Sequence, residues 1–165
     1  MADLLTHGAA AVLVKAGTGW RYPAVFVAGT FAPDLASRVP AIGFGLIHVH
    51  WVSLPSWLTH GWQPLHQPFG LLVLAYVISM FFRVHDRVGV FLNLIGGMAL
   101  HMFLDVLQDH HGVGYLLGFP FWEGHWELGA VGSEATVWVA VPLCILAAWV
   151  ASKKQATCGA SLEDC

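Results

Sequence analysis

The chain has 165 residues, of which 57% are hydrophobic and only 10% are charged, and its formal net charge is −3. Soluble domains carry roughly 25% charged residues, so this composition excludes an ordinary soluble protein and predicts an integral membrane protein. The few Lys and Arg residues are scattered rather than clustered, so we expect no nucleic-acid partner.

Two short apolar runs open the chain. They predict helices over residues 3–17 and 22–31, and Pro33 should end the second helix. Each run is short for a membrane span of about 20 residues. A tight hairpin of the two helices would return Asp34 to the level of His7.

Residues 35–68 have a mixed composition, with prolines at 40, 55, 64 and 68 and four histidines. Hydropathy alone allows a span over residues 41–58. We favour an interfacial or re-entrant segment, because Pro55 and a cluster of Trp residues (Trp51, Trp57 and Trp62) suit the headgroup layer.

The remaining chain predicts helices over residues 69–82, 88–107 and 134–151, with a loop between the last two that has no Lys or Arg. The predicted fold class is therefore all-α. It is an integral membrane helical bundle of about four transmembrane helices plus the interfacial segment. We expect one domain over residues 1–152 and a short polar tail over residues 153–165.

The basic residues predict the topology of this bundle. With four spans, all but Arg38 lie on one side, which the positive-inside rule makes cytoplasmic, together with the C-terminus. The polar residues then gather at the outer helix ends: His7, Asp34, His60, His66, His101, Asp105 and His111. A fifth span at residues 41–58 would move the first hairpin to the opposite face.

The predicted helix over residues 88–107 contains a histidine and a carboxylate four residues apart, His101 and Asp105. This spacing places both side chains on one helix face. Ionisable residues in a span usually face the bundle interior and mark a functional site. The alternative is an internal hydrogen-bonded pair that holds two helices together.

His and Asp side chains from separate helices are typical ligands of zinc, or of manganese or iron where carboxylates dominate. A metal with an open position lowers the pKa of bound water, which supports hydrolysis at neutral pH. Other histidines have simpler interpretations. We expect hydrogen-bonded packing for His48, His50 and His85. Two interpretations stay open for Glu123, His125 and Glu127, which are either solvated interfacial loop residues or functional ones.

Several short motifs occur in one order up to about Pro120. They are Thr6-His7, Ala32-Pro33-Asp34-Leu35, the histidine pair His60 and His66, the HxxxD of His101 and Asp105, and Gly112-Val113. This ordered set resembles the family of predicted inner-membrane, metal-dependent hydrolases, small multi-span proteins of bacteria and archaea.

The resemblance implies metal binding by His7, Asp34, His66, His101 and Asp105, with His60 nearby. It also implies a location in the inner membrane of a prokaryote. We expect zinc first, with manganese or iron as alternatives, and Asp109 or His111 as general base. The expected substrate is a phosphoester of a lipid or lipid-linked molecule at the outer headgroup level.

The chain departs from the family pattern in three places, one of which is a loop after Asp105 with the additional residues His110, His111 and Glu123 to Glu127. Ala36 stands where the family commonly has a second Asp, and the histidine pair lacks the Arg of the family's HRGxTHS-like string. These departures favour an alternative, a non-catalytic accessory subunit of a larger membrane complex. Such a subunit would bind a pigment or haem through His48, His85 or His125. The partners we expect are membrane lipid and either further copies of this chain in a homo-oligomer or a larger membrane complex.

Overall fold

The computed structural model describes residues 4–18, 21–109, 115–122, 124–132 and 135–160. Over these residues the protein is all-α, as the sequence predicts, and isolated bridges take the place of strands. The elements are α1 (Leu4–Thr18), α2 (Pro23–His50), α3 (Ser56–His60), a 3-10 turn (Gln63–His66), α4 (Pro68–Met80), α5 (Arg87–Leu107) and α6 (Thr136–Ala160).

The uninterrupted apolar runs were predicted closely. Helices α1, α4 and α5 begin and end within about two residues of their predicted bounds, a normal uncertainty at helix ends. Helix α6 continues to Ala160, past the predicted end at residue 151. Lys153, Lys154 and Gln155 have good helix propensity, so this part of the predicted polar tail extends the helix.

The largest difference from the predicted fold is α2. The prediction that Pro33 ends the second helix is wrong, because α2 runs for 28 residues with Pro33 and Pro40 inside it. A proline removes one backbone hydrogen bond, but packing against a neighbouring helix can offset that loss. Ser37 also donates a hydrogen bond from Oγ to the Pro33 carbonyl at 2.7 Å.

The segment predicted to be interfacial is thus divided. Its first part belongs to α2, and the chain leaves the helix only after His50, before the short helix α3 and the 3-10 turn. Residues 41–58 do not form one continuous helix. A single membrane-spanning helix over residues 41–58 is therefore excluded.

Helices α2 and α5 form the centre of the fold, and two glycines set their separation. A Cβ atom on Gly97 would lie 2.2 Å from the Phe26 carbonyl oxygen. One on Gly29 would lie 2.6 Å from the Leu94 carbonyl oxygen. Small residues permit such close backbone contact between helices. An apolar core also joins α4 to α5 through residues such as Ala75 and Met98.

Helix α5 is the one helix in the described part of the chain that is long and apolar enough to cross a membrane. Shorter apolar helices cover Pro68–Met80 and Trp138–Lys153. The bundle of about four transmembrane helices therefore stays a prediction.

Candidate metal centre

The close approach of α2 and α5 positions His101. His101 follows Gly97 by one helical turn, so its fully buried ring lies against α2. Its Nδ1 is 2.8 Å from the Thr30 carbonyl oxygen. A carbonyl oxygen only accepts, so Nδ1 donates and carries the proton of the neutral ring. This contact leaves Nε2 with its lone pair, as in a metal ligand, and Nε2 lies 3.3 Å from Asp105 Oδ2 and 3.8 Å from Asp34 Oδ1.

Asp105 lies one turn further along α5 and is also fully buried. Its Oδ2 is 3.3 Å from His101 Nε2 and 3.4 Å from His66 Nε2. The Tyr115 hydroxyl donates a hydrogen bond to the same oxygen at 2.8 Å. The other oxygen, Oδ1, is buried without a hydrogen bond, and His7 Nε2 of α1 is 3.5 Å from it.

His66 reaches this cluster from the 3-10 turn. The turn is held against the start of α4, where a Cβ atom on Gly70 would lie 2.0 Å from the Pro64 carbonyl oxygen. His66 is buried, and its Nε2 is 2.9 Å from His101 Nε2. It is also 3.4 Å from Oδ1 of Asp34, which projects from α2.

Five predicted metal ligands thus meet in one buried cluster, although they come from four separate elements. Metal–ligand bonds of about 2.0–2.2 Å place neighbouring ligand atoms roughly 3–3.5 Å apart, which matches the distances here. Two groups that can hold a metal ion share His101. The first group consists of His7, His101 and Asp105, and the second consists of Asp34, His66 and His101. Within each group the ligand atoms lie within 4.8 Å of one another.

The charge of the cluster also fits a cation. With neutral histidines, the two carboxylates of Asp34 and Asp105 and the guanidinium of Arg38 leave one formal negative charge. Burying an uncompensated charge is costly. A divalent cation would offset that charge and would coordinate the buried Asp105 Oδ1.

Arg38 and Tyr115 belong to the site, although the sequence analysis assigned neither of them to it. Arg38 Nε is 2.8 Å from Asp34 Oδ1, without the alignment of a hydrogen bond, and Arg38 Nη2 is 3.7 Å from Asp105 Oδ2. The Arg38 guanidinium also donates to the Tyr115 hydroxyl at 3.5 Å. The four-residue spacing from Asp34 was a signal for Arg38, but no motif marks Tyr115.

Tyr115 lies in the segment after α5, where its backbone exchanges hydrogen bonds with Trp126. Its ring stacks on His66 at a centroid distance of 5.4 Å. Burial, together with the neighbouring Asp105 carboxylate, raises the pKa of the Tyr115 hydroxyl. The hydroxyl therefore stays protonated and keeps the Asp105 carboxylate oriented.

Two other predicted site residues, His60 and Asp109, lie outside this cluster. His60 is exposed, and its Nδ1 lies 3.1 Å from the Ser56 carbonyl oxygen of its own helix. Asp109 lies just beyond α5, and its backbone N–H donates to Val131. His111 lies outside the described residues.

The histidines considered for a pigment or haem are exposed. His48 Nδ1 accepts a hydrogen bond from the Leu54 N–H at 2.7 Å, and His85 pairs with Asp86 at 3.0 Å. His125 is exposed on the segment that contains Tyr115.

A cavity of about 330 Å³ opens beside the cluster. Arg38, His66 and Tyr115 line it, and so does His125. Groups bound in this cavity would contact the Arg38 guanidinium and one of the candidate metal ligands, His66.

Comparisons with protein-family models, curated proteins and solved structures find no match for this chain.

Proposed function

We propose that this protein is a membrane-embedded metal-dependent hydrolase that acts on a phosphoester of a lipid or lipid-linked substrate. One observation carries the proposal. Residues that the sequence motifs select as ligands, spread from His7 to Asp105, meet in a buried cluster with ligand-like spacing. The resemblance to predicted inner-membrane hydrolases supports the reaction class, and the apolar helix α5 supports the membrane location.

His7, Asp34, His66, His101 and Asp105 would hold the metal. Three imidazoles with two carboxylates suit zinc first, and manganese or iron next. When bound, a divalent metal of this kind acts as a Lewis acid and makes water nucleophilic at neutral pH.

The chain's own residues prepare the site for an anionic ester. The Thr30 carbonyl fixes the His101 tautomer, and the Tyr115 hydroxyl orients Asp105. Arg38 lines the cavity and offers a guanidinium to a phosphate oxygen. It supplies from α2 the charge that the family's missing Arg would have provided.

Metal analysis of detergent-purified protein tests the proposal. We compare the wild type with the double variant His101→Ala/Asp105→Ala and with His85→Ala, an exposed histidine outside the cluster. Near-stoichiometric zinc, manganese or iron should be present in the wild type and His85→Ala, and should be lost from the double variant. Circular dichroism checks that each variant remains helical.

A phosphoesterase screen on the metal-loaded protein follows. Hydrolysis of phosphoesters by the wild type, and its loss in the double variant, would support the reaction class. The proposal would be overturned by a wild-type protein that contains no metal and either shows a visible absorption band or stays associated with a large complex. That outcome would favour the accessory subunit that binds a pigment or haem.

A further inference from the structure

A second cavity adjoins the cavity beside the cluster. This second cavity has a volume of about 440 Å³, and it shares Ala41 and Gln63 with the first. Its wall follows one face of α2 through Ile42, Gly45 and Val49, spaced three and four residues apart. From Arg38 to Val49 this face extends about 16 Å at the helical rise of 1.5 Å per residue. We call this second cavity the α2 groove.

The two cavities differ in chemistry. The first is lined by Arg38, whose guanidinium is able to donate hydrogen bonds to an anion. None of the described residues that line the α2 groove is Lys, Arg, Asp or Glu. Aliphatic side chains such as Ile42 and Leu54 form part of its wall, and polar side chains form the rest: His48, Ser56, His60 and Gln63. The guanidinium of Arg38 thus lies at one end of this pair of adjoining cavities, and a mainly apolar groove forms the other end.

The apolar end is open to the surroundings. Ile42 is 63% exposed and Val49 is 73% exposed. In a bilayer these exposed aliphatic side chains would face the lipid, so an acyl chain would enter the α2 groove from the side that Ile42 and Val49 form. Gly45 keeps the groove open, because nothing lies within 4 Å of a Cβ atom placed there.

We infer that the two cavities together bind one lipid-like phosphoester, with its phosphate at Arg38 and one hydrocarbon chain along the α2 groove. This inference rests on the proposed function and specifies its substrate as an amphiphile whose chain is recognised. Gly45 is then a specificity-determining position, since any side chain there would occupy the space of the hydrocarbon chain.

The test uses a phosphatidic acid with a diazirine in its acyl chain. The chain-labelled lipid is photo-crosslinked to the full-length protein in detergent, with chelator present so that hydrolysis plays no part. Peptides are mapped by mass spectrometry. We expect crosslinks concentrated on residues 41–54, and we expect dodecyl phosphate to compete where inorganic phosphate or dodecanol at equal concentration does not.

Two leucine substitutions on α2 provide the matched comparison. Gly45→Leu should lower the crosslinking yield about tenfold. This is the loss of affinity expected when roughly two methylenes of the lipid chain are no longer buried in the groove. Gly43→Leu should leave the yield unchanged, because Gly43 also has open space but does not line the groove. Ile42→Trp is a second filling variant, and Arg38→Gln should weaken competition by dodecyl phosphate.

Crosslinks spread around the whole apolar surface, or equal yields for Gly45→Leu and Gly43→Leu, would overturn the inference. So would competition by an unlabelled peptide with no effect of dodecyl phosphate, since the groove would then hold a protein segment. The proposed function fails separately, through the metal analysis. Crosslinking in the groove by a protein that binds no metal would leave a lipid site without hydrolase chemistry.

Discussion

The two halves of α2 have similar apolar compositions and different surroundings. In residues 23–37, Phe26, Gly29, Thr30 and Asp34 are buried, most of them against α5 and the candidate metal centre. In residues 38–50 no side chain is buried, and Ile42 and Val49 are among the exposed ones. Hydropathy alone does not decide which half packs.

Backbone contact decides it. The first half carries Gly29 opposite Leu94, and it meets Gly97 of α5, so the two helices approach closely enough for a carbonyl of α2 to orient His101. The second half also contains glycines, Gly43 and Gly45, but no other described residue comes within 4 Å of a Cβ atom placed on either of them. The same residue type therefore builds a site in one half and leaves a groove in the other.

The largest effect should come from separating the first half from α5. Gly97→Val places side-chain atoms where the Phe26 carbonyl now lies, and we expect a loss of about 3 kcal/mol in the free energy of unfolding. Thermal unfolding of detergent-purified protein, followed by circular dichroism, measures it. Gly43→Val in the second half is the control and should change stability by less than about 1 kcal/mol. Equal losses in both variants would show that the glycine contact does not hold the helices together.

This contrast also explains what the sequence was able to predict. The bounds of α4 and α5 follow from uninterrupted apolar runs, a local property of the chain. The end predicted at Pro33 failed because contacts with α5, distant in sequence, keep α2 helical. No single-sequence pattern records those contacts.

The candidate site divides in the same way. Regular spacing on one helix identified His101 with Asp105, whereas Tyr115 reaches Asp105 from an irregular segment that no motif marks. Of the histidine pair, His66 is buried and His60 is exposed. The 3-10 turn that ends at His66 directs the ring of His66 inward. The sequence motif does not distinguish the two histidines.

The second effect concerns metal affinity in the two halves of α2. Asp34→Asn removes a charged ligand from the first half while preserving its size. Removing a residue that only hydrogen-bonds a metal ligand lowers metal affinity by about 10–100-fold. Removing a ligand itself should therefore lower metal affinity by more than about 100-fold. His48→Ala in the second half should leave affinity unchanged. Zinc competition against chelators of graded affinity measures both, and an unchanged affinity in Asp34→Asn would remove Asp34 from the ligand set.

The smallest effect should arise at the boundary between the halves, where Arg38 contacts Tyr115. Tyr115→Phe keeps the ring on His66 but removes the hydroxyl that orients Asp105. A hydrogen bond of this kind contributes about 1 kcal/mol, so zinc affinity should fall roughly fivefold.

Tyr76→Phe is the matched control for this last prediction, because Tyr76 is exposed on α4. The chelator competition should separate the two variants while their melting temperatures stay close. If Tyr115→Phe instead lowers the melting temperature and leaves zinc affinity unchanged, Tyr115 only closes the fold over the cluster. In that case the first half of α2 and α5 would orient the ligands without help from the boundary.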